Sequence, residues 1–103
     1  MSFTHVVTFT WTGAAASDPA VADGIAASLR RFVAEADLPG LRSYSCGRDA
    51  GLAPGNAQFA CVAVFDDADS FAVYRDHPEH RRLVSEQIQP YVAQRSAVQF
   101  SDR

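Results

Sequence analysis

Residues 58–65 constrain the fold more than any other stretch of this chain. They read Gln-Phe-Ala-Cys-Val-Ala-Val-Phe, a short run rich in aromatic and β-branched side chains, which predicts a strand. Successive side chains of a strand point to opposite faces, so a run that is apolar at odd and even positions needs cover on both faces. One layer of helices covers only one face. We therefore expect the second cover to be another sheet, most simply that of a second copy of the chain.

The remaining segments carry the patterns of regular elements. Period-two alternation predicts strands, and apolar side chains at 3.6-residue spacing predict a helix. We expect further strands over residues 3–11, 41–46 and 96–100, a long helix over residues 18–37, and loops over residues 13–17 and 47–56. The order of these elements predicts a single α+β domain, residues 1–103, with one antiparallel sheet and helices on one face.

The first strand has two unlike faces. Its odd-numbered positions carry Phe3, His5, Val7, Phe9 and Trp11. His5 is therefore expected among large apolar groups on one face of the sheet. The even-numbered face has three threonines and Val6, which is too polar for the main core of a monomer but suits contact with another sheet.

Two of the three histidines and one of the three tyrosines fall within residues 74–80, which read Tyr-Arg-Asp-His-Pro-Glu-His. Pro78 disfavours helical geometry at His77, so a short helix capped at residue 66 or 67 must end there. Proline is a favourable first residue of the next helix, which places His77 at the cap and His80 in the first turn. There the helix dipole and apolar neighbours disfavour a cation, so we expect a lowered pKa and a neutral His80 at pH 7.

The composition excludes several classes of function. The formal net charge is -3 and all nine basic residues are scattered arginines, so the cationic face needed to bind nucleic acid is missing. No apolar run approaches the roughly 20 residues that span a bilayer, and no secretory signal pattern opens the chain, so we expect a cytoplasmic protein with no membrane partner.

No metal site is predicted. The two cysteines, Cys46 and Cys61, match no metal-binding spacing and lie in strand-like segments, where reduced structural thiols are expected. Three aspartates fall close together at positions 66, 67 and 69. A helix cap followed by a solvated first turn explains them without a bound cation.

Several fragments together resemble a known family, the stress-responsive dimeric α/β-barrel domain, a branch of the ferredoxin-like dimeric barrels. The fragments, in chain order, are His-Val-Val at 5–7, Leu-Pro-Gly-Leu at 38–41, Gly-Arg-Asp at 47–49, Phe-Asp at 65–66, Tyr74, and His-Pro-Glu-His at 77–80. They span nearly the whole chain. The resemblance implies a ferredoxin-like four-stranded antiparallel sheet with helices on one face, and a homodimer in which two sheets pack face to face as a barrel.

The resemblance also implies a site. Family members that act as polyketide cyclases close a poly-β-keto chain by aldol chemistry, without a cofactor, in a pocket between the sheet and its helices. The residues used there correspond to His5, Tyr74 and His80. In such a reaction His80 suits the role of base and Tyr74 that of hydrogen-bond donor to a carbonyl. His5 suits either of two roles, orienting the substrate or sharing in the proton transfer. The apolar pocket lining is expected to come from Val7, Phe9, Leu29, Phe71 and Leu83.

Three functions stay open at this point. The first is a cofactor-independent cyclase or lyase acting on a polyketide-like small molecule. The second is a cofactor-free monooxygenase of an activated aromatic compound, and the third is a non-catalytic dimer that binds an apolar small molecule. Each site residue also has a structural interpretation, since histidines in aromatic-rich strands and tyrosines on amphipathic helices are often core residues. An open cavity joining His5, Tyr74 and His80 would favour the enzyme, and a filled core would exclude it.

Overall fold

The computed structural model describes residues 1–102. The strands are β1 (Ser2–Trp11), β2 (Leu41–Arg48), β3 (Phe59–Phe65) and β4 (Val92–Asp102). The helices are α1 (Gly13–Ser17), α2 (Pro19–Glu35), α3 (Ala68–Asp76) and α4 (Pro78–Leu83). A π-helical turn (Val84–Ile88) and a 3-10 turn (Gln89–Tyr91) join α4 to β4. The order confirms the predicted α+β architecture.

The four strands form one antiparallel sheet in the order β2-β3-β1-β4. β1 is therefore central, with Val6 opposite Val62 on β3 and opposite Val98 on β4. Paired residues in antiparallel strands point to the same face. This register carries the two faces predicted for β1 across the whole sheet.

The helices cover one face of the sheet and build the core there. Every odd-numbered residue of β3 from Phe59 to Phe65 is buried, as are His5, Val7, Phe9 and Trp11 of β1. The buried residues that α2 contributes are Ala22, Ile25, Ala26, Leu29 and Phe32. The opposite face of the sheet is only partly buried in the isolated chain, and Val98 there is 54% exposed. The helices therefore cover one face of β3, the strand that is apolar at both odd and even positions, and leave its second face open.

Polar residues fix the start of each long helix. The side chain of Asp18 accepts a hydrogen bond from the backbone N–H of Ala20, and Pro19 is the first residue of α2. The carboxylate of Asp67 caps α3 by accepting from the backbone N–H of Ser70. His77 ends α3 and caps α4, as the proline break predicts. These caps satisfy backbone donors that a helix leaves unpaired at its first turn.

Two expectations from the sequence were wrong in detail. Residues 13–17 form the short helix α1 and not a loop, because Gln58 holds them: its amide donates to the Ala16 carbonyl at 3.0 Å and accepts from the Trp11 backbone N–H at 2.8 Å. The last strand also begins at Val92, four residues before the expected start at residue 96, because it pairs with β1 along nearly its full length. Within residues 1–102, no helix is long and apolar enough to cross a membrane.

Candidate active site

A cavity of about 210 Å³ lies between the sheet and the segment from α3 to β4. It brings together His5, Tyr74 and His80, the three residues expected to act together. The other lining residues are Val7, Phe9, Leu29, Cys61, Val84, Ile88, Gln89, Val92 and Arg95. The cavity is therefore mostly apolar with a few polar groups converging on it, the usual composition of a small-molecule site.

Two residues expected in the lining, Phe71 and Leu83, lie outside this cavity. Phe71 packs against His5 with ring centroids 4.9 Å apart and against Phe3 at 5.5 Å, so it supports His5 from the side. Leu83 is buried but borders a second concave region of about 460 Å³ between α2 and α4. The helical break at Pro78 turns α4 so that His80 and Val84, and not Leu83, face the cavity.

His80 packs directly on Tyr74. Their ring centroids are 4.3 Å apart, and the two residues come from α4 and α3 on either side of the Pro78 break. Nδ1 of His80 lies 3.1 Å from the backbone carbonyl oxygen of Arg75. A carbonyl oxygen only accepts, so Nδ1 must carry the proton in this contact. In neutral His80, Nε2 is then the nitrogen with the free lone pair.

Burial lowers the pKa of His80, as the sequence predicts, although the contact with the Arg75 carbonyl acts in the opposite direction. The nearby ring of His77 lowers the pKa of His80 further, and the nearby carboxylate of Asp76 raises it. Glu79 does not reach the ring, because its carboxylate pairs with Arg82. A lowered pKa leaves His80 neutral at pH 7, which is the protonation state that a general base requires.

His5 is fixed in the opposite tautomer. It is 6% exposed, and its Nδ1 accepts a hydrogen bond from the side-chain amide of Gln99 at 2.8 Å. Because the amide nitrogen only donates, the proton of neutral His5 is on Nε2. Burial is the largest cause that lowers the pKa of His5 to about 4, followed by the charge of Arg95 and the proximity of the second titrating ring, His80. At neutral pH His5 is thus a hydrogen-bond donor through Nε2.

Tyr74 has a partner that the sequence did not indicate. It is 2% exposed, and its hydroxyl oxygen lies 3.4 Å from the hydroxyl oxygen of Tyr44 on β2. Burial raises the pKa of both phenols, so both stay protonated at neutral pH. Burial also raises the pKa of the neighbouring Cys61 thiol to about 11, which keeps it neutral. If Tyr44 donates to Tyr74, the Tyr74 proton is available to a ligand.

Two other predictions concern His77, which lies outside the cavity, and the two cysteines, of which only Cys61 lines it. The ring Nδ1 of His77 accepts from the backbone N–H of Glu79 at 3.1 Å, and its ring lies against Phe32, so it acts as the helix cap and a packing residue. Cys46 and Cys61 are free thiols on facing positions of β2 and β3. Within residues 1–102 no group of three or more histidine, cysteine, aspartate or glutamate side chains is placed to hold a metal ion.

Comparison with solved structures gives full-length matches. A dimeric ferredoxin-like protein of unknown function from Thermobifida fusca YX is 38% identical, with 98% of this chain and 91% of that chain covered and a TM-score of 0.85. SnoaB, a cofactor-independent oxygenase from Streptomyces nogalater, is 22% identical, with 99% and 93% covered and a TM-score of 0.74. A hydroxynitrile lyase from Passiflora edulis is 16% identical, with 96% and 91% covered and a TM-score of 0.76. The last two likenesses concern the fold alone.

A search of curated proteins found no significant match. The model of one family does match, over residues 3–102, and it describes the stress responsive A/B barrel domain. This agrees with the antiparallel sheet, its single layer of helices and the ferredoxin-like neighbours. The chain belongs to the stress responsive A/B barrel domain family.

Proposed function

We propose that this chain is a single-domain, homodimeric, cofactor-independent enzyme that moves a proton on a small carbonyl compound, as an aldol-type cyclase or lyase. One observation carries the proposal: His80 and His5 face one cavity in opposite tautomers, one with a free lone pair and the other with an N–H. A base and a donor side by side are what enolate chemistry needs.

The reaction balances with these groups alone. Nε2 of His80 takes a proton from the carbon between two carbonyls, and the Nε2–H of His5 and the hydroxyl of Tyr74 donate to the enolate oxygen. The enolate carbon then attacks a second carbonyl and forms the new carbon–carbon bond. The alkoxide that results takes the proton back from His80. Run in reverse, the same steps cleave that bond, so the site suits a cyclase and a lyase equally.

The size of the cavity favours a small substrate. Its volume of about 210 Å³ is below the roughly 300 Å³ at which sites for drug-sized ligands begin. An apolar cavity of about 150 Å³ is enough for benzene. We therefore expect the enclosed part of the substrate to be about one ring with its carbonyl groups, and any longer polyketide-like chain to extend out of the mouth.

The solved structures of similar fold are consistent with this chemistry. SnoaB is described as a cofactor-independent oxygenase and the Passiflora edulis protein as a hydroxynitrile lyase. Oxygenation of an activated aromatic compound would begin with a base in the same cavity, so it is the second candidate. Oxygen uptake with dihydroxy-aromatic substrates would separate it from the aldol reaction.

The homodimer is proposed from the open face of the sheet. Val6, Val62 and Val98 align across three strands on the side away from the helices. The T. fusca protein is described as dimeric, as are similar proteins from Bacteroides fragilis and Jannaschia. Burying this face against a second copy would supply the cover that β3 needs on its second side.

A pair of histidine variants tests the proposed function. His80→Ala removes the base, and His77→Asn is its matched control, because His77 lies outside the cavity and asparagine retains a capping oxygen. Turnover would be measured on a panel of β-diketones and β-keto thioesters. We expect turnover to fall at least about 100-fold in His80→Ala, within the usual range for loss of a general base, and to be kept in His77→Asn.

Absence of turnover by the unmodified protein across the panel would contradict the proposal. So would equal activity of the His80→Ala variant. A third outcome is that apolar small molecules raise the melting temperature of the protein and still do so after substitution of both His5 and His80. That result would identify a non-catalytic binding protein.

A further inference from the structure

The cavity has a positive end. Its polar lining residues are His5, Tyr74, His80, Gln89 and Arg95, and no carboxylate is among them. With both histidines neutral at pH 7, the guanidinium of Arg95 is the single formal charge in the lining formed by residues 1–102. The protein as a whole has a net charge of -3, so this cavity has the opposite sign to the rest of the chain. A cation bordering an apolar cavity favours an anionic ligand.

The register of β4 fixes the place of Arg95. Arg95 is the partner of Phe9 on β1, whereas Gln99 is the partner of His5. Both pairs point to the helix side of the sheet, and four residues of strand separate them by about 13 Å along the backbone. Arg95 therefore projects from the Phe9 end of the lining, yet its charge lies close enough to lower the pKa of His5.

Within residues 1–102, no side chain forms an ion pair with the Arg95 guanidinium. Among residues 1–102 the arginines that form ion pairs are Arg42, Arg48, Arg75, Arg81 and Arg82. Arg30 donates to the backbone carbonyl of Cys46 at 2.6 Å. In the described part of the chain, Arg95 has neither an ion pair nor a side-chain hydrogen bond. Its planar fork matches the two oxygens of a carboxylate.

We propose that Arg95 determines specificity by binding a carboxylate of the ligand, so that the substrate of this site is a small carboxylic acid. The acid group lies at the Arg95 end, and the reactive carbonyl lies at the end formed by His5, Tyr74 and His80. The assignment of the reactive end rests on the proposed function, whereas the contact with the acid needs no catalysis. The exposed Gln89 also lines the cavity, and its side-chain amide is a further donor available to an anionic ligand.

Two matched probes test this directly: 3-phenylpropanoate and its neutral analogue 3-phenylpropanamide. Both fit one ring into the cavity, and they differ in the negative charge. Calorimetric titration should give at least about tenfold tighter binding of the acid, the size expected for one charge-assisted contact. Arg95→Gln should remove that preference while leaving amide binding within about twofold, a change close to thermal energy. Arg95→Lys should retain part of the preference, since it keeps the charge but not the fork.

Arg31→Gln is the control, because Arg31 is also an exposed arginine but lies outside this cavity. It should bind both probes as the unmodified protein does. Equal affinity for acid and amide, a preference that survives Arg95→Gln, or no binding of either probe at millimolar concentration would overturn the inference. The two proposals can fail separately. Acid binding through Arg95 without turnover refutes only the enzyme. Equal turnover of keto acids and neutral ketones, with the keto acids unaffected by Arg95→Gln, refutes only the acid specificity.

Discussion

The ring of His80 lies 4.3 Å from the ring of Tyr74, and each ring is fixed by a second contact: His80 by the Arg75 carbonyl and Tyr74 by the Tyr44 hydroxyl. The cavity therefore receives groups whose orientation is set before a ligand arrives. Preorganisation of this kind reduces the free energy that a site must spend on ordering its groups during binding and reaction.

Tyr44 should act as a positioning residue for Tyr74. Tyr44→Phe removes the hydroxyl 3.4 Å from that of Tyr74, so the Tyr74 proton loses its fixed direction. We expect kcat to fall about tenfold, KM to change little, and the free energy of unfolding to fall by about 1 kcal/mol, the usual size of one hydrogen bond. Kinetics and urea unfolding measure these effects. Tyr91→Phe is the control, since Tyr91 is 39% exposed and outside the cavity; an unchanged kcat in Tyr44→Phe would contradict the role.

The activity should depend on pH through His80. Its pKa is lowered below the ordinary value of 6.5 by burial, and the base acts only when neutral. kcat/KM should therefore be constant near pH 7 and fall at lower pH, with an apparent pKa below 6.5 in the free enzyme. A pH–rate profile with its acidic limb above pH 7 would mean that another group is the base.

Stability should decrease in mild acid because of His5. Its pKa is about 4 in the folded chain and near 6.5 when unfolded, so between these values the unfolded chain binds more protons. The free energy of unfolding therefore falls as the pH drops from 6.5 to about 4. For this group alone the loss is about 3 kcal/mol.

Urea unfolding at several pH values measures that loss, with His5→Gln as the comparison. The variant has no titrating group at position 5, so its stability should change less steeply between pH 6.5 and 4. If the free energy of unfolding depends on pH with the same slope in both proteins, the pKa of His5 is not lowered by its burial.

The homodimer should depend on the open face of the sheet. Val98→Glu places a charge on that face, at a position that is 54% exposed in the single chain and so should not hinder folding. Sedimentation velocity at micromolar concentration should show a dimer for the unmodified protein and a monomer for the variant. Val73→Glu is the matched control: it makes the same substitution at a position that is 46% exposed but lies on α3. This variant should remain dimeric. A monomeric unmodified protein would contradict the proposal.

Local patterns in the sequence were enough for much of the fold. The parity of β1 placed His5 on the same face as Val7 and Phe9, and Pro78 determined where α3 ends and α4 begins. The alternation of side chains along a strand and the helix break at a proline are both set by residues close together in the sequence. Neither requires knowledge of the tertiary structure. The expectation that β3 needs cover on two faces rests on the same period-two rule.

Contacts between distant segments could not be read in this way. The Gln99 amide meets His5 across 94 positions of sequence, and Tyr44 meets Tyr74 across 30. Both depend on strand register and helix placement, which the pairing of whole elements decides. Arg95 was missed for the same reason, because β4 extends further than its apolar pattern indicates. A full pairing of β4 with β1 would have pointed to both Gln99 and Arg95 on the helix side.

The tautomers of His80 and His5 test the central claim most directly. Long-range proton–nitrogen NMR spectra of the protein labelled with nitrogen-15 distinguish the protonated ring nitrogen in each histidine at pH 7. We predict neutral His80 with its proton on Nδ1, bonded to the Arg75 carbonyl, and neutral His5 with its proton on Nε2, opposite the Gln99 amide. A cationic His80 at pH 7, or the same tautomer in both rings, would contradict the pairing of a base with a donor in this cavity.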